Sequence, residues 1–198
     1  MPEKTPFQRA MDELDTLHAA DPRRVEHEGA SLPHELWHAG RMSAWLKCVV
    51  EEPGELMQLA VRSQHLQRWE LPRSDYPEGR VGYLTWRRDQ GKRAGETTAR
   101  VMQAAGYSAT DAAAVASMIR KQGLGRDPGA QAVEDCACLV FLESYFADFS
   151  RQVEHDHLVR IVQKTWGKMS PRARKLALEL SMSDEARAVV EEALAESG

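Results

Sequence analysis

Twelve residues from Arg62 to Arg73 read Arg-Ser-Gln-His-Leu-Gln-Arg-Trp-Glu-Leu-Pro-Arg and concentrate groups that can do chemistry. They include one imidazole, His65, one carboxylate, Glu70, and three guanidinium groups, Arg62, Arg68 and Arg73. An imidazole exchanges a proton near neutral pH, a carboxylate can act as a base, and guanidinium forks match phosphate and carboxylate oxygens. A second concentration is Glu134-Asp135, two adjacent carboxylates inside the apolar run from Val133 to Phe146. Burying an unpaired carboxylate is costly, so at least one of them must meet a cation, a metal or a donor. An ion pair with an arginine would satisfy that requirement as well as a catalytic role would. His34 and His38 stand four apart, on one face of a helix, a spacing that suits a shared ion but is weak by itself. His38 lies deeper, just before Arg41. A basic run, Arg80, Arg87, Arg88, Lys92 and Arg93, is interleaved with Tyr83 and Trp86. It fits an anionic ligand or simply a solvated helix face. His155-Asp156-His157 reads as a polar helix start.

The elements that must position these groups are helical. Thr5-Pro6 is a helix start, and Phe7, Met11, Leu14 and Leu17 follow at helical spacing to about Ala20, where Asp21-Pro22 stops the run. A polar loop, 23–31, leads to Pro33 and a second helix of about seventeen residues. Glu52-Pro53 opens a third, whose Leu56, Met57, Leu59, Ala60 and Val61 run into His65. The longest irregular stretch is 71–82, broken by Pro72, Pro77, Gly79 and Gly82. Tyr83 to Ala105 reads as a helix ended by Gly106, with a weak middle at 90–95. Ser108 starts the next, ended by Gly123. Asp127-Pro128 opens a core helix running to Phe149. After Glu154 come two or three more helices, with starts at Ser170-Pro171 and Ser183-Asp184-Glu185. No alternating pattern of strand length appears. The expected fold is all-α, one helical domain.

The 198 residues are enough for a packed core, and 42% hydrophobic with 28% charged residues is ordinary for a globular chain. A net charge of -4 argues against a nucleic-acid binder that relies on overall positive charge. The segment 62–100 nevertheless has nine Lys or Arg against five Asp or Glu, a local +4 that leaves -8 elsewhere. That basic middle suits a small anion. Cys48, Cys136 and Cys138 lie in apolar runs, an odd set expected to be reduced thiols. No run is long enough to span a membrane and no secretory-type leader is visible, so a cytoplasmic protein without membrane partners is expected.

Three runs carry a resemblance: Gln64 to Arg73, Gly82-Tyr83-Leu84-Thr85-Trp86-Arg87, and Glu134-Asp135-Cys136-Ala137-Cys138-Leu139-Val140-Phe141-Leu142-Glu143, with Lys164 to Ser170 fitting too. Over nearly the whole chain they resemble the domain of unknown function 4202 family, which brings no established activity. More distantly the arrangement is similar to the HD-type metal-dependent phosphohydrolases. That likeness implies an HD-like core over about 33–150 with extra C-terminal helices over about 154–196. It implies metal ligands at His38, His65 and Asp135 for a divalent ion, zinc, manganese or iron. Leu66 departs from the pattern, standing where an Asp should pair with His65, and Arg120 and Lys121 stand where two-metal relatives have histidines.

The expected function is therefore a metal-dependent hydrolase of a small anionic, phosphorylated or nucleotide-like substrate. Glu70 or Glu134 would take the proton of a bound water, and Arg41, Arg62, Arg68, Arg73 and Lys121 would hold the anion. The alternative is a non-catalytic regulatory module binding a small anion or nucleotide on a degenerate HD-like scaffold. A homodimer is compatible with either.

Overall fold

The computed structural model describes residues 3–195. Those residues are all-α apart from one small hairpin. The chain divides into two compact units, residues 1–133 and 134–198, so the expected core over about 33–150 straddles the boundary.

In the first unit, α1 (Pro6–Ala19) begins with a reciprocal cap. Thr5 accepts from the Gln8 amide, and the Gln8 side chain accepts from the Thr5 amide. Its buried line is Ala10, Leu14 and His18, one residue per turn. The polar loop that follows is in fact an antiparallel hairpin, β1 (Arg24–His27) and β2 (Ala30–Pro33). Glu28 and Gly29 both have positive φ, 50° and 78°, which is the two-residue turn whose twist matches a hairpin. Four-residue strands carry too few positions for alternation to show in sequence. The His34 amide donates to the Arg23 carbonyl, closing the hairpin at its base against α2 (His34–Val49).

Helix α3 (Glu55–Arg62) is shorter than its apolar lead-in suggests. It stops at Arg62, so His65 lies in the turns beyond it. Gln67 takes φ 53°, an uncommon conformation for a residue with a side chain, and this reversal folds Arg68 back towards His65. The long α4 (Gly79–Ala105) starts four residues before the sequence suggests and runs without interruption through 90–95. It pins the irregular stretch from one side. Trp86 Nε1 donates to the Leu71 carbonyl at 2.9 Å, and Gln90 donates to the Arg68 and Leu71 carbonyls at 2.9 and 2.7 Å. Gly106, at φ 104°, ends it. Helix α5 (Ala109–Ile119) packs along α4, close enough at Gly95 that an added Cβ would stand 3.1 Å from the Ala116 carbonyl.

Helix α6 (Pro128–Val140) crosses the boundary between the units. The expected single core helix to Phe149 is interrupted: one π-type turn, Phe141–Tyr145, separates α6 from α7 (Phe146–Ser150). In the second unit α8 (His155–Lys168) packs on α10 (Asp184–Ala195), and α9 (Pro171–Leu178) begins at a Ser170 cap.

Gly82 sits where α4 meets the loop, and a Cβ there would run into the Pro77 carbonyl, which is backbone and cannot rotate away. Gly82→Ala should cost about 1–3 kcal/mol in denaturant unfolding. Gly91→Ala, whose nearest neighbours stand 3.8–4.0 Å away, should be neutral or stabilising by up to about 1 kcal/mol.

Candidate functional site

The site is built around a residue that the chemistry-bearing runs of the sequence pass over. Glu35 stands in the first turn of α2 and is 1% exposed. It lies on the buried face of that helix with Ala39, Met42, Leu46 and Val49, four, seven, eleven and fourteen residues on. That spacing was the available signal: a carboxylate in a core stripe.

The hairpin supplies its counter-ion. Arg23 Nη2 donates to Glu35 Oε1 at 2.7 Å and to Asp21 Oδ2 at 2.9 Å, and Arg23 Nε donates to Asp21 Oδ1 at 3.0 Å. Asp21 Oδ2 also accepts from the Glu35 amide at 3.0 Å, fixing the start of α2. Burial works to raise the Glu35 pKa, but His34, His38 and Arg23 outweigh it and hold the carboxyl below its usual range. Asp21 is likewise lowered against the cost of its burial, chiefly by its bonds to Arg23.

Glu35 Oε2 has no hydrogen-bond partner and is buried. His65 Nδ1 faces it at 3.6 Å, and His34 Nδ1 stands 3.7 Å from Oε1. The His38 and His65 rings stack, centroids 4.2 Å apart and 13° from parallel. Burial pushes the His38 pKa down to about 4, and burial together with the charges of His38, Arg68 and Lys121 holds His65 well below the usual value. Arg68 Nη1 approaches His65 Nε2 at 2.8 Å, and its guanidinium lies over Trp86, 4.4 Å from the ring centroid. A guanidinium only donates, so Nε2 of His65 carries a lone pair and the ring proton sits on Nδ1, facing Glu35. The His65 side chain keeps 20% of its surface exposed.

Of the expected residues, His38, His65 and Arg68 come together, and Lys121, in a left-handed turn at φ 56°, adds its charge to His65. Arg62, Arg73 and Glu70 are engaged elsewhere. Arg62 donates through Nε to Asp15 at 2.7 Å and through Nη1 to Ser43 at 3.4 Å, while its carbonyl accepts from His18. Arg73 donates to the carbonyls of Tyr76 and Gly79, bracing the loop. Glu70 pairs with Arg93 and accepts from Gln67. Arg41 is half-buried one turn beyond His38. Glu134 and Asp135 belong to the second unit, and both are buried there. Lys168 Nζ stands 3.5 Å from Glu134, and Asp135 accepts from the Ser170 amide at 2.8 Å, tying down the start of α9. Leu66, at the position where the HD-type pattern has Asp, is 2% exposed and packs in the core.

Among the described residues, Asp21, His34 and Glu35 are the group whose ligand-type atoms all lie within 4.8 Å of one another. The gap between its two carboxylates already holds the Arg23 guanidinium. At His65, an ion bound through Nδ1 would leave the neutral ring's proton on Nε2, against the Arg68 donor. In this arrangement Arg23 and Arg68 therefore stand against a divalent ion between Asp21 and Glu35 or on His65 Nδ1.

A family model for a domain of unknown function, DUF4202, matches residues 8–190. The chain belongs to that family. No curated protein and no solved structure matches it. Among the described residues no helix is long and apolar enough to cross a membrane.

His38 is neutral when folded down to about pH 4, whereas in the unfolded chain it protonates near its ordinary 6.5. The unfolded state therefore binds more protons between those values, and His38 alone should take about 3 kcal/mol of stability as the pH drops through that window, with His65 and His18, also lowered by burial, adding to the loss. Asp21 and Glu35, whose folded pKa values are depressed, add a further loss below their ordinary 3.8 and 4.5. Urea midpoints from pH 7 to 4 should show the decline, and His38→Gln should flatten its upper part.

Proposed function

We propose that the first unit houses a hydrolase site for a small anionic, phosphorylated or nucleotide-like substrate. One observation carries this reading: an ionised buried carboxylate, a neutral imidazole and a guanidinium stand in line as Glu35, His65 and Arg68, at a partly exposed position. Arg68 offers forked donors to phosphate oxygens, with Lys121 adding positive charge. A bound phosphate competes for the Arg68 donors that now cover Nε2. Once they turn to the anion, the His65 lone pair is open to a water.

The step then balances simply. The water oxygen forms a bond to phosphorus, Nε2 takes its proton, and the bond from phosphorus to the leaving oxygen breaks. The proton then passes from Nε2 to the departing oxygen. Glu35 faces the imidazolium that forms between the two transfers. Glu70, held by Arg93, is not needed as the base. The distant HD-type likeness is compatible with the reaction class, but no step here runs through zinc, manganese or iron. A non-catalytic regulatory module is favoured by one feature, the Arg68 cap on Nε2, since a capped base binds anions without turning them over.

Phosphate release should be measured over a panel of phosphate monoesters and nucleotides, with thermal shift on the same panel. Turnover is expected, reduced at least 100-fold in His65→Asn, with the KM raised in Arg68→Ala. Stabilisation by a nucleotide without turnover would select the regulatory reading. Neither binding nor turnover at any compound sinks both, and turnover lost to a chelator restores the metal.

A further inference from the structure

We propose that Glu35 is a positioning residue that fixes His65 as its Nδ1–H tautomer, so that the anion site at Arg68 always meets an unprotonated Nε2 and works without a metal ion. The inference deepens the reading above, which concerns what is bound and hydrolysed. This one concerns what holds the imidazole ready.

Three observations carry it. Glu35 Oε2 is a buried carboxylate oxygen with no hydrogen-bond partner, and the polar atom facing it is His65 Nδ1, 3.6 Å away. A ring presenting N–H to that oxygen is favoured by attraction, while a ring presenting a lone pair would set two acceptors against each other. The opposite ring nitrogen receives the Arg68 donor at 2.8 Å, which admits the same tautomer and no other. Between Asp21 and Glu35, where a divalent ion could sit, the Arg23 guanidinium already stands.

Arg68 and Lys121 bring positive charge to neutral His65, the sign an anionic ligand needs. Glu35 is anchored for its task. Its amide is held by Asp21 and its Oε1 by Arg23, so Oε2 is directed at the imidazole by bonds made elsewhere. His18 supports the same turn from the other side, donating through Nε2 to the Arg62 carbonyl at 2.9 Å.

The test uses the full chain with 15N-labelled histidine, the His65 resonances being identified by their loss in His65→Asn. At neutral pH the wild type should show a protonated Nδ1 and an unprotonated Nε2. Arg68→Ala removes the guanidinium that enforces this pattern from one side. If Glu35 positions the ring, the Nδ1–H tautomer persists in Arg68→Ala and gives way to a mixture in Arg68→Ala/Glu35→Gln. A mixed or Nε2–H ring in Arg68→Ala alone overturns the proposal, as does a pure Nδ1–H ring in the double variant. Equimolar zinc should leave the Nδ1–H signal in place, and its loss with zinc bound through His65 overturns the metal-free part. Inorganic phosphate supplies the last arm. It should shift the His65 Nε2 resonance in the wild type and not in Arg68→Ala, and an unmoved Nε2 under saturating phosphate counts against the shared site. These tautomers are read whether or not any ester is hydrolysed, so failure here and failure of the hydrolase reading are separable.

Discussion

A carboxylate in the core is the constraint on which the first unit depends. Glu35 occupies a core position of α2, and leaving it there without a partner would cost more than most folds can spare. The β1–β2 hairpin answers that need. It is too small to be a structural layer, yet it turns the chain so that Arg23 reaches Glu35 and Asp21 together. The bonds are mutual, since Asp21 also holds the Glu35 amide. The carboxylate thus stays ionised in a dry setting, and its second oxygen is left to act on whatever faces it. What faces it is His65.

The arginines show how unevenly a basic stretch is used. Arg62 joins α3 to α1 and α2 through Asp15 and Ser43, and Arg73 shapes the loop before α4. Arg93 is spent on Glu70 at the surface. Arg68 is different because its partners are an imidazole nitrogen and a tryptophan face, which place it against the buried His65 with the Glu35 charge on the ring's other side. A guanidinium held against an imidazole is the one an anion can recruit beside a base. The distinction is invisible in a count of charges and plain once partners are known.

Much of the architecture was legible. The Thr5-Pro6 start, the stop at Asp21-Pro22, the Gly106 end of α4, the Ser108 and Ser170 caps and the all-α class follow from local rules of capping and periodicity, and the described residues bear them out. The hairpin was missed because four-residue strands leave no pattern. The end of α3 was misplaced because nothing in Ser63-Gln64-His65 breaks a helix, and the π-type turn at 141–145 because nothing in Phe-Leu-Glu-Ser-Tyr does. At the site, His65, His38 and Arg68 were readable as chemical groups. Glu35 was hidden by its position, since an acidic residue in a helix's first turn is ordinarily a solvent-facing partner of the helix dipole.

By itself the sequence determined which side chains were available, that helices carry them, and which family the chain joins. These depend on neighbours within a few residues, where capping, spacing and matched motifs act. Only the tertiary structure decided that His38 and His65 stack, that Glu35 faces His65, and which of the guanidinium groups meets the imidazole. Those outcomes are set by pairings across dozens of residues, Arg23 with Glu35 or Arg62 with Asp15. A charge in a linear string carries no label naming the partner that burial will force on it.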